Sequence, residues 1–194
     1  MIYFSTPKYH WNYFLAIQKD LEKISRYIEF CPDNLQTYSI ELAHILLSAS
    51  SEVDVLMKQL CNTVAPGGIF ENINHYRNAI TIHIPDLINE QISIPRYGMT
   101  HRPWENWNGL DNPDWWRSYN RVKHQRNDHY SEANLQNTIN SVGALLITSV
   151  YYYKYAFSAE AGHNIDFRDA TRQLDSSHAF LMLDHSYYYQ HLLV

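Results

Sequence analysis

The sequence predicts a mainly α-helical fold: a four- to five-helix up-down bundle with a small β-hairpin and loop insertion between the second and third long helices. Three observations carry that prediction. Apolar residues recur at steps of three and four through two long segments, 39–62 and from about 131 to 153. The linker ahead of the first of these is short, which favours an antiparallel neighbour. Period-two alternation is confined to 80–95, inside an irregular, Trp-rich insertion at about 64–113.

The elements follow in order. Thr6-Pro7 marks a helix start, and Phe14, Ile17, Leu21, Ile24 and Ile28 then keep a helical period until Pro32-Asp33-Asn34 closes the segment. Leu42, Leu46, Ala49, Val53, Leu56 and Leu60 form the apolar stripe of a second helix, flanked by Glu52 and Asp54. Pro66-Gly67-Gly68 stops it. A short helix is expected in "FENINHYRNAI", followed by a hairpin whose strands are "ITIHIP" and "ISIP", ending at Pro85 and Pro95. The stretch from Arg96 to Trp116 has no period but holds Trp104, Trp107, Trp115 and Trp116, which are expected to pack on the bundle as an ordered loop. A further helix starts near Asp114, and another, N-capped by Ser131, runs through Leu135, Ile139, Val142, Leu146 and Val150. The C-terminal segment 158–194 reads equally as strand or apolar helix in "HAFLMLDHSYYYQHLL".

At 194 residues the chain is read as one domain, 1–194, long enough to bury about two thirds of its unfolded surface. Cys31 and Cys61 lack disulfide-framework or metal-ligand spacing, which fits a reducing, cytoplasmic setting. The N-terminus does not read as a secretory signal, and no segment offers the ~20 apolar residues of a membrane span. Gly-rich phosphate loops, a Gly-x-Ser-x-Gly elbow and a Cys/His nucleophile are absent, and His83, His101 and His163 lack metal-ligand spacing, so no cofactor or metal is expected.

The net charge of −5 excludes a protein that coats nucleic acid through a global basic field. Basic charge is nevertheless local. From Asp114 to Tyr130, Arg117, Arg121, Lys123 and Arg126 stand against Asp114 and Asp128, so this segment is +2 and the remainder −7. On a continuous helix Trp115, Tyr119, Val122 and Arg126 share one inward face. Trp116, Asn120, Lys123 and Asn127 then lie on its flank, and Arg117, Arg121 and His124 form a basic outer stripe. Arg126 would be partly buried and in need of an anion: either Glu52 or Asp54 in a structural ion pair, or a bound phosphate. His129, at the corner before the next helix, is placed to exchange protons near neutral pH beside Arg126.

"SSEVDVLMK", the insertion, then "WWRSYNRVKHQRNDHY" with its Asn120-x-x-Lys123-His124 stretch and the long apolar helix resemble the HEPN superfamily of prokaryotic helical-bundle proteins. The resemblance covers the first helix through Phe157. It implies a homodimer in a toxin–antitoxin or phage-defence system, an RNA ligand, a cognate antitoxin or other partner protein and, in catalytic members, metal-independent endoribonuclease activity. Catalysis in those members uses an Arg, frequently followed by Asn, then four to six residues and a His. Here Arg126-Asn127 and His129 have two intervening residues, whereas Arg117 and His124 have six without the Arg-Asn pair. The implied catalytic set is Arg126, His129 and His124, with Arg117, Arg121, Lys123, Asn120 and Asn127 holding RNA, and Trp104, Trp107 or Tyr130 stacking bases. A catalytically silent bundle that binds RNA or a partner protein stands beside this as the second expectation.

Overall fold

The computed structural model describes residues 7–175 and 180–189. It is mainly helical, with one two-stranded antiparallel sheet among the described residues. Its helices are α1 (Tyr9–Ile24), α2 (Ile40–Val64), α3 (Ile73–His83), α4 (Asp86–Asn89), α5 (Asp114–His124), α6 (Arg126–His129), α7 (Leu135–Ala161) and α8 (Phe167–Gln173). The strands are β1 (Ile92–Ile94) and β2 (Met99–His101).

The two long helices are set by capping and by apolar content. Ser39 caps α2, its hydroxyl accepting from the Leu42 amide at 3.1 Å, and Glu41 adds negative charge to the first turn. Asn134 caps α7 by accepting from the Asn137 amide at 2.9 Å, and Gly162, with φ 71°, closes the other end in the left-handed conformation. α7 therefore starts at Leu135, not at Ser131, because Tyr130–Glu132 forms a separate 3₁₀ turn. Residues 141–150 of α7 are buried on every side. α7 packs most extensively on α2 and also meets α1, α5 and α8, so it is the central helix.

The insertion differs from expectation in where its hairpin lies, and the expected connector "DLINEQ" holds the short helix α4. The alternating "ITIHI" is not a strand but the end of α3 and its cap: Tyr76, Ala79, Ile80 and Ile84 are buried at helical steps, while Ile82 is exposed. Asn72 starts this helix by accepting from the amides of Asn74 and His75. The hairpin lies later, with Ile92 opposite His101, Ser93 opposite Thr100 and Ile94 opposite Met99. Gly143 of α7 seats it, since a Cβ there would stand 2.8 Å from Ile92 Cγ1 and 3.1 Å from Pro103 Cγ. Trp104, Trp107, Trp115 and Trp116 are all buried and form a chain of edge and tilted ring contacts. The Trp115 indole N–H donates to the Pro103 carbonyl at 2.8 Å and ties the loop to α5.

α1 ends at Ile24, short of the expected Ile28, and Pro32–Asn34 is a 3₁₀ turn. Of the expected helix start at Thr6-Pro7, Thr6 lies outside the described residues. The C-terminal segment resolves into α8 and a short extended contact in which Met182 exchanges both backbone hydrogen bonds with Ser93, at 2.7 and 2.9 Å. Residues 176–179 and 190–194 of the ambiguous C-terminal stretch lie outside the described residues. Among the described residues, no helix is long and apolar enough to cross a membrane.

Candidate functional site

The basic segment is organised by a helix break at Gln125. α5 begins after Pro113 with Asp114 in its first turn and ends with Arg121, Lys123 and His124 in its last, a charge order that matches the helix dipole. Trp115, Trp116, Ser118, Tyr119 and Val122 are buried against the bundle. Gln125 then leaves helical geometry, at φ −139° and ψ 49°, before α6 resumes. That break resets the helical phase. Arg126 consequently does not continue the inward face of Trp115, Tyr119 and Val122, and it is exposed where partial burial was expected.

The acidic partners expected for Arg126 are committed elsewhere. Glu52 meets His10 Nδ1 at 2.5 Å, joining α2 to α1, and Asp54 accepts from the Tyr76 hydroxyl at 3.0 Å. Burial, reinforced by Asp54, pushes that phenol well above its ordinary range. The Arg126 side chain forms no hydrogen bond or ion pair with any described residue. It lines a groove of about 520 Å³ together with Asn127, Tyr130, Ile40, Ala43 and His44. That lining contains no carboxylate. Four other surface grooves each include at least one, such as Glu41, Glu22, Glu105 or Glu90.

The remaining basic residues are mostly paired. Arg117 bonds Asp114, and Arg121 Nη1 lies 3.1 Å from Glu132 Oε1. Lys123 reaches the Tyr119 hydroxyl at 3.4 Å with its ammonium 5.4 Å from the ring centre. Asn120 donates back to the Trp116 carbonyl at 2.9 Å. His124 is exposed. His129 Nδ1 stands 2.8 Å from Glu132 Oε1. Burial raises the Glu132 carboxyl, but hydrogen bonds from Ser118, Arg121 and His129 and the Arg121 charge outweigh it and hold the group below its ordinary value. An ionised carboxylate only accepts, so His129 donates through Nδ1, while its Nε2 makes no hydrogen bond with a described residue.

The structure thus brings Arg126 and Asn127 to His44 of α2, and His129 to Glu132 and Arg121. His124 and His129 are not in the lining of the Arg126 groove. Trp104 and Trp107, expected as base platforms, are buried; Tyr130 remains at the groove, edge-on to Tyr38 with centroids 5.5 Å apart. His44 and Glu132 escaped sequence reasoning. His44 is four residues after exposed Ile40 on the outer side of α2, and Glu132 is three after His129, signals visible only once the helices are placed. Among the described residues, no group of three or more His, Cys, Asp or Glu side chains is gathered closely enough to hold a metal ion. No family model, curated protein or solved structure matches the chain.

Proposed function

We propose that the chain is a HEPN-like helical bundle, of the kind serving prokaryotic defence or toxin–antitoxin systems, that binds RNA through the Arg126 groove. The observation that carries this reading is a guanidinium without an anionic partner among the described residues, in a groove lined by His44, Asn127 and Tyr130 and by no carboxylate. Arg126 supplies a planar set of donors for a backbone phosphate, Asn127 a neutral donor beside it, and Tyr130 an aromatic edge at the groove wall. A homodimer and a cognate antitoxin belong to the same reading through the family resemblance alone.

Cleavage is the narrower reading, favoured by the presence of His44 in that groove. The reaction would be attack of an RNA 2′-hydroxyl on the adjacent phosphodiester, forming the 2′-O–P bond of a cyclic phosphate and breaking the P–O5′ bond; His44 would take the 2′ proton, the leaving 5′-oxygen would take a proton from water, and Arg126 would neutralise the phosphorane. His129, tied to Glu132, would act only by reaching the same phosphate through Nε2. The opposed reading is a catalytically silent interaction module.

Labelled single-stranded RNA, titrated with the chain in EDTA and then resolved on a gel, separates these readings. Saturable binding that weakens in Arg126→Ala, with the strand left intact, establishes a binding module; products ending in a cyclic phosphate that vanish in Arg126→Ala and His44→Ala establish cleavage. Absence of binding even at low salt would overturn the RNA reading and leave the protein-interaction module.

A further inference from the structure

A second groove lies across the Tyr38–Tyr130 pair from Arg126. Tyr130 lines the Arg126 groove, its ring contacts Tyr38, and the Tyr38 backbone bridges to Asn134, which lines the second groove. This groove encloses about 190 Å³. That is below the roughly 300–1,000 Å³ of pockets for drug-sized ligands and suited to a single ring.

Its chemistry is unlike that of any other groove described above. Six carboxamides line it: Gln36, Asn106, Asn134, Gln136, Asn137 and Asn140. Some of their capacity is used to build the wall. Asn134, 7% exposed, donates to Gln36 at 3.0 Å and caps α7; Gln36 donates to Gln136 at 3.2 Å; and Asn137 donates to the Ser118 hydroxyl and the Glu132 carbonyl. The side-chain amides of Asn106 and Asn140, the Gln136 side-chain NH₂ and Asn137 Oδ1 make no hydrogen bond with the described residues. Donors and acceptors are therefore both presented, on walls fixed by hydrogen bonds. Buried Pro103 and Trp115 supply the apolar sides, held together by the Trp115 N–H to Pro103 carbonyl bond. The charged residues of the lining are Arg102, Glu105 and Asp114, one positive and two negative, so it has no positive excess with which to attract phosphate.

We infer that this amide-lined pocket takes one unpaired nucleobase of the strand whose phosphate lies at Arg126, an assignment that rests on the RNA-binding reading above. A base edge is a short row of alternating donors and acceptors, and a carboxamide matches two neighbouring positions of such a row, as Asn and Gln do with adenine. Unstacked bases of single-stranded RNA expose those edges. The Arg126 groove then supplies affinity, and the amide pocket supplies base preference.

The test is fluorescence anisotropy with labelled oligo-A, oligo-U and oligo-C RNA. The wild-type chain is expected to prefer one strand by roughly five- to 150-fold, the range of one good base contact. Asn140→Leu is expected to level the three affinities near that of the weakest strand. Asn106→Ala, in the Trp-rich loop and not on α7, does the same and serves where Asn140→Leu disturbs the fold by circular dichroism. Arg126→Ala weakens all three strands by a common factor and keeps the preference. Equal wild-type affinities, or a preference that survives in the folded asparagine variants, overturn the base pocket and leave the Arg126 groove standing. Failure of every strand to bind overturns both.

Discussion

The α2–α7 pair and the α5–α6 corner lie in one chain but are stabilised by different means. In the pair, Leu46 and Leu146 are buried at 0% and 1% exposure, and neighbours on all sides of α7 leave each side chain little freedom to change. At the corner, residues 123–128 are all exposed, and the partnered charges there meet one another rather than the core. Burial dictates residue size in the first region and says little about charge. In the second, pairing dictates charge, and Arg126, without an ion-pair partner among the described residues, is the cation that the proposed reading gives to a ligand.

Leu46→Ala should break the first region with the largest effect. Removing three buried carbons from a site closed by α7 costs about 2–5 kcal/mol, depending on how far the neighbours collapse. The urea midpoint should fall accordingly with little change in slope. On the proposed reading, RNA affinity per folded molecule should not move, because Leu46 is not part of the Arg126 groove lining. A loss of affinity in the folded variant would show the two regions to be coupled.

Glu132→Gln probes the corner's own stability and should cost less, about 1 kcal/mol near neutral pH. The Glu132 carboxyl is held below its ordinary value in the fold, so its ionised form contributes stability above the unfolded value of about 4.3. That contribution is lost as pH falls through the folded value. The gap between wild type and Glu132→Gln, measured by urea unfolding, should therefore be present at neutral pH and close in acid. A gap that is constant with pH would mean that Arg121 and His129 draw nothing from the negative charge.

These contrasts also explain what could be read in advance. α2 and α7 were legible because burial writes itself into spacing: Leu42, Leu46, Val53 and Leu60 repeat at steps that only a helix places on one side. The alternation at Ile80, Ile82 and Ile84 misled because Ile80 and Ile84 also stand at a helical step, and only exposed Ile82 makes the run look like a strand. The break at Gln125 has no Gly or Pro to announce it, yet it decides where Arg126 points. Pairings such as Glu132 with Arg121 and His129, or Glu52 with His10, depend on how separate helices are set. They have no local signature. The candidate segment was therefore legible as a basic patch, but its division into a paired cluster and an open groove was not.

Arg126→Ala should have the smallest effect on stability and the clearest one on function. An exposed side chain with no ion pair among the described residues should change the unfolding free energy by less than about 0.5 kcal/mol. If the guanidinium meets one phosphate, the dependence of log affinity on log salt should become shallower by about 0.7 for single-stranded RNA, because one fewer counterion equivalent is released. Arg121→Ala serves as the contrasting control. Its charge already faces Glu132, so its removal should lower stability slightly and alter the salt slope less than Arg126→Ala does. Equal changes in slope for the two variants would mean that the corner acts as a diffuse basic surface, and that the carboxylate-free groove confers no special place on Arg126.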